Sequence, residues 1–105
     1  MFIQTEDTPN PATLKFLPGR DVAGSGRPAL DFERGANVSG APLAEMLFMI
    51  PDVTRVFFGS DFVSVTKSDD AQWKHLKPAV LGAIMDFFVA GGTPLTDQIA
   101  AEAED

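Results

Sequence analysis

The chain contains a single histidine and no cysteine, so few of its side chains can do covalent or metal chemistry. The histidine, His75, sits in Trp73-Lys74-His75-Leu76-Lys77, between two cations and beside the only tryptophan. An imidazole there could serve a small enzyme as general base. That role needs a group to orient the ring and a nucleophile within reach. Ser60, Ser64 and Ser68 are the hydroxyls to consider, and no nucleophile-elbow pattern surrounds any of them. A solvent-facing histidine on the first turn of a helix is the plainer reading, and no catalytic residue is assigned.

Metal chemistry is bounded more tightly. Without thiols there is no iron–sulfur or zinc-thiolate site within the chain, and one imidazole cannot complete a ligand set. Asp69-Asp70 lacks the spaced oxygens and the turn glycine of a calcium loop, and reads as charge ahead of a helix N-terminus. No metal ligand is assigned. Gly24-Ser25-Gly26 neither follows a strong parallel strand nor opens a helix, and Arg27-Pro28 stands where a phosphate-binding lysine would be. It reads as a flexible hairpin tip.

Two features have the composition of contact surfaces. Trp73 flanked by Lys74 and Lys77 suits a hot spot on an otherwise acidic protein, and a packed core tryptophan is an equal reading. Thr8-Pro9-Asn10-Pro11 is a rigid turn in which both prolines fix φ and hold Thr8 and Asn10 out of the helical region. Clamping the entry to a strand is its commoner use, and docking a peptide is the other.

The elements that must position these residues follow from periodicity. Phe2-Ile3-Gln4-Thr5 is a short strand candidate, continuing in direction with Thr13 to Leu17 beyond the proline turn. In the latter, Leu14 and Phe16 share one face. Arg20 to Pro28 reads as a loop, and Leu30 and Phe32 alternate with Asp31 and Glu33 as a half-buried strand. Pro42 suits the first position of a helix whose buried stripe is Leu43, Met46, Leu47 and Ile50, ended by Pro51. Val53 to Phe58 and Phe62 to Lys67 form a hairpin across Gly59-Ser60-Asp61, with Val63 and Val65 on one face. A long helix runs from about Trp73 to Ala90 with core stripe Leu76, Val80, Ala83, Ile84, Phe87 and Phe88. Its regular part begins near Lys74 if Pro78 falls in the first turn or so, and Gly91-Gly92 stops it. The expected fold is α+β: a two-layer, four-stranded, mainly antiparallel sheet with two helices on one face, in the order ββαββα. Residues 1–92 form the domain, and 93–105 read as a linker or disordered tail.

Composition agrees with one soluble domain: 105 residues, 45% hydrophobic, 22% charged. A net charge of −7 opposes binding to nucleic acid or to an anionic membrane. No apolar run approaches the ~20 residues that span a bilayer. The first residues carry neither a signal-peptide pattern nor an Arg-rich transit pattern, which gives a cytoplasmic expectation.

Several separated motifs, in order, resemble the N-terminal domain of Nfu/NifU-like iron–sulfur cluster scaffold proteins. They are Thr8-Pro9-Asn10-Pro11-Ala12-Thr13-Leu14-Lys15-Phe16, Pro18-Gly19, Pro42-Leu43-Ala44-Glu45, Val56-Phe57-Phe58-Gly59-Ser60-Asp61-Phe62, Val65-Thr66-Lys67 and Trp73-Lys74-His75-Leu76-Lys77-Pro78. Asp52 replaces a glycine common in that family, and the histidine often found near Phe87 is missing. The resemblance implies an accessory, non-enzymatic domain with no cofactor of its own. The iron–sulfur cluster would be carried by a Cys-x-x-Cys motif in a separate C-terminal domain. The implied partners are that domain and iron–sulfur client proteins, met as a monomer, with Asn10, Lys15, Trp73, Lys74, His75 and Lys77 nominated for contact. A stand-alone dimerisation domain, pairing through an edge strand near Phe2 or Phe32, is the blander alternative.

Overall fold

Alternation in the sequence becomes register in the structure, a computed structural model that describes residues 2–24 and 28–92. Among the described residues there are five strands rather than four: β1 (Gln4–Asp7), β2 (Thr13–Leu17), β3 (Leu30–Glu33), β4 (Val53–Phe58) and β5 (Val63–Lys67). Helix α1 (Pro42–Phe48) follows β3 and α2 (Trp73–Val89) follows β5, so the order is βββαββα. The spatial order is β1-β2-β5-β4-β3, with every neighbouring pair antiparallel.

The expectation of a shared direction for the first two strands fails at the proline turn. The chain reverses there, and β1 folds back on β2 from Gln4↔Leu17 to Asp7↔Leu14. Nor does Arg20 to Pro28 close a hairpin, because β3 lies at the far edge against β4. The segment before the glycine loop instead lies against the β4–β5 turn. Val22 and Ala23 are buried, and their N–H groups donate to Ser60 O (2.8 Å) and Gly59 O (2.9 Å). Residues 25–27 of the glycine loop, and the tail from 93 onward, lie outside the described residues.

Cross-strand rows define the two faces. One row runs Phe32, Val56, Val65, Leu14, and the next Phe58, Val63, Phe16; all are buried, and they pack in one core with Leu43 and Leu47 of α1 and with Leu76, Val80, Ile84 and Phe88 of α2. Both helices therefore cover the same face. Phe16 and Phe58 have no exposed surface, and each such burial is worth about 1.5–3 kcal/mol.

The helix ends explain the stops. Pro42 is the first residue of α1, as its spacing predicts. Beyond the other end, Arg34 donates from Nη2 to Phe48 O (2.9 Å) and Ile50 O (2.7 Å), and from Nε to Val53 O (2.8 Å). The Phe48 carbonyl is one the helix leaves without a partner, while Ile50 O also accepts from the N–H of Val53, the first residue of β4. In α2 the proline falls deeper than expected: the helix starts at Trp73, and Pro78 is its sixth residue. Pro78 removes the donor that Lys74 O would have received, and both residues are exposed, so solvent can replace it. The C-terminal stop is a Schellman turn. Gly91 has φ +82°, its N–H donates to Phe88 O, and the N–H of Gly92 donates to Phe87 O.

Candidate functional site

The proline turn is a closed hydrogen-bond system. Thr8 Oγ1 lies 2.8 Å from Asn10 O and 2.9 Å from Thr13 O, sharing its hydrogen between them, and accepts from the N–H of Asn10 at 3.2 Å. Asn10 Oδ1 accepts from the N–H of Ala12 at 3.0 Å, an Asx turn, and the N–H of Thr13 donates to Asn10 O. Asn10, nominated for contact, therefore has its carbonyl oxygen committed to shaping the turn.

Trp73 joins this turn to α2. Its indole N–H donates to Pro11 O at 3.1 Å, and its ring meets Phe16 at 6.2 Å between centroids, tilted by 57°. Half-buried, it is both core and surface. α2 has no side-chain cap from Gln72 and no acid in its first turn; Asp69 and Asp70 lie in the turn before it. A cleft of about 340 Å³ opens between the turn and the indole, lined by Asp7, Thr8, Pro9, Asn10, Pro11 and Trp73 among others. Lys74 and His75 stand exposed on the first turn of α2, and Lys77, one turn on from Trp73, is half-buried.

Five of the six nominated residues thus gather at one end of the molecule. Lys15 does not. It faces the opposite, helix-free side of the sheet, with its ammonium 4.3 Å from the centre of the Phe62 ring and 3.6 Å from Glu6. On that side Phe62 also stacks on Phe57 at 6.0 Å and lies against the backbone of Gly59, where a Cβ would strike the ring. Arg55 donates to Asp31 at 2.8 Å and pairs with Glu33 at 3.0 Å; the hydrogen bond and charge of Asp31 hold the guanidinium above its ordinary pKa.

The sequence reading did not single out Asp7 as a site residue. Thr5 and Asp7 share a parity that places both on the helix side of an edge strand, and that alternation is the signal that could have found it. The hydroxyls considered for His75 are elsewhere: Ser64 is on the helix-free face, Ser60 is in the β4–β5 turn, and Ser68 donates to Asp52 at 3.4 Å. Nor do the residues present fit an iron–sulfur cluster. The chain has no thiol, and no group of three His, Cys, Asp or Glu side chains able to hold a metal occurs among the described residues.

This two-layer arrangement, with a strand-entry turn pinned by α2, defines a small α+β domain. Residues 3–91 match the family described as the Nfu/NifU scaffold protein N terminal, and the chain belongs to that family. It is 50% identical over 97 residues to an NFU1 iron–sulfur cluster scaffold homolog, mitochondrial, of Drosophila sechellia, covering 92% of this chain and 34% of that protein. It is also 50% identical to NifU-like protein 4, mitochondrial, of Arabidopsis thaliana, over 100% of this chain and 36% of the relative. The chain therefore spans about a third of the length of these relatives. Its fold is shared by a NifU-like protein from Saccharomyces cerevisiae, with TM-score 0.79 and 24% identity over 90% of this chain and 83% of that one. A crystal structure of a Staphylococcus aureus protein aligns with TM-score 0.69 and 25% identity, over 80% and 99% of the two chains. No helix among the described residues is long and apolar enough to cross a membrane.

Proposed function

We propose that residues 1–92 are an accessory, non-enzymatic domain of an iron–sulfur cluster scaffold, working by contact with a Cys-x-x-Cys domain that carries the cluster and with client proteins that receive it. The cluster is cargo, handled outside this chain. The observation that carries the reading is the gathering of Asn10, Trp73, Lys74, His75 and Lys77 at one end, in a chain with no thiol to hold iron. Trp73 supplies a rigid anchor already fixed by Pro11, so little ordering is needed on contact. We take the domain as a monomer. Acids on both edge strands, Glu6 and Asp7 on one and Asp31 and Glu33 on the other, oppose edge-to-edge pairing of copies.

The test is an NMR titration of the isotope-labelled chain with a Cys-x-x-Cys domain and with an apo-client protein. Saturable shifts of the Thr8–Thr13 amides and of Trp73–Lys77 are expected with at least one of them. Unmoved spectra with both would remove the contact role.

A further inference from the structure

The cleft beside Trp73 has a lining that accepts hydrogen bonds and offers few. Pro9 and Pro11 have no N–H at all. The Thr8 hydroxyl is spent on the carbonyls of Asn10 and Thr13, and the indole N–H on Pro11 O. Asn10 commits its side-chain oxygen to Ala12, leaving its amide N–H₂ uncommitted, and the Thr13 hydroxyl is engaged with that of Thr66 at 2.8 Å. Against this stands the Asp7 carboxylate, acceptor-only and exposed, with no cation within ion-pair distance among the described residues.

A ligand group for such a cleft must donate hydrogen bonds, carry positive charge and bring an apolar stem for the indole and proline rings. Lysine and arginine side chains are the groups that meet all three requirements. Resting on the contact role given above, we infer that the cleft takes a lysine or arginine side chain presented by an extended segment of a partner protein. Its charged end meets Asp7 and its methylene stem lies along Trp73 and Pro11. The overall charge of −7 favours the approach of a basic segment. Lys74, His75 and Lys77 act in the opposite sense. They belong to the first turns of α2, are absent from the cleft lining, and leave acidic neighbours of the entering residue a place to pair. An acid on an edge strand can also serve only to deter strand pairing, a role that needs no occupant.

The experiment titrates the labelled chain with a capped pentapeptide bearing a central arginine, and with two counterparts carrying citrulline or glutamate there. Citrulline keeps the shape and loses the charge. Saturable shifts of the Trp73 indole N–H and the Thr8–Thr13 amides are expected with the arginine peptide. They should weaken at least tenfold with citrulline, and as much with arginine on the Asp7→Asn variant, whose exposed edge position leaves the fold intact. Equal binding of citrulline or glutamate peptides at the same resonances would overturn the inference while keeping the surface as a contact site. Shifts confined to the helix-free face, or no shifts with any peptide, would also overturn it; the larger partners would then decide the contact role separately.

Discussion

The indole N–H of Trp73 donates to the carbonyl of Pro11 across 62 residues of chain, tying the first hairpin to the last helix. Trp73→Phe keeps most of the packing on Phe16 and leaves the Pro11 carbonyl without this donor. The expected loss is about 1 kcal/mol, seen as a lower urea midpoint at unchanged slope. A drop in melting temperature of about 4–8 °C should accompany it.

Thr8→Val removes the hydroxyl that serves three backbone groups of the turn at nearly constant volume. A destabilisation of about 1–2 kcal/mol is expected. Hydrogen exchange gives the sharper readout: the amide of Asn10, which donates to Thr8 Oγ1, should lose protection, while that of Thr13, which donates to Asn10 O, should keep more of its own.

Arg34 gathers three carbonyls, of Phe48, Ile50 and Val53, and lies 5.5 Å over the Phe48 ring. Arg34→Ala should cost about 1.5–3 kcal/mol in chemical denaturation. Arg34→Lys should recover less than half of that, because an ammonium cannot reproduce the planar fork. Full recovery by lysine would show that charge alone matters there.

Gly59→Ala places a methyl group where the Phe62 ring lies, so the ring must move and release its stacking on Phe57. A loss of about 1–3 kcal/mol is expected. Phe62→Ala relieves the clash, so the double variant should be more stable than the sum of the two single changes implies. Strict additivity in that double-mutant cycle would contradict the contact.

Much of this architecture was legible because burial imposes a period. Leu14 with Phe16, and Val63 with Val65, announced the covered face, and Pro42 and Gly91 marked helix ends for local steric reasons. What stayed hidden was pairing at a distance. Nothing within Phe2–Thr5 says that the chain turns back at Pro9–Pro11, and nothing within Leu30–Glu33 says that it joins the far edge beside β4. The candidate site divides in the same way. The residue types at Trp73, Lys74, His75 and Lys77 singled out one helix end. The partner of Trp73, the commitment of Asn10 to its own turn and the placement of Lys15 on the other face all depend on contacts far apart in sequence. Arg34 drew no notice because an arginine before a glycine resembles any loop until the three carbonyls converge on it.

With one tryptophan and no tyrosine in the chain, its ultraviolet emission comes almost wholly from the indole that walls the cleft and caps the core. The molecule thus carries a built-in optical label. Quenching or a colour shift on adding a compound would signal occupancy of that corner, and the same light would redden when the chain unfolds, with no dye attached.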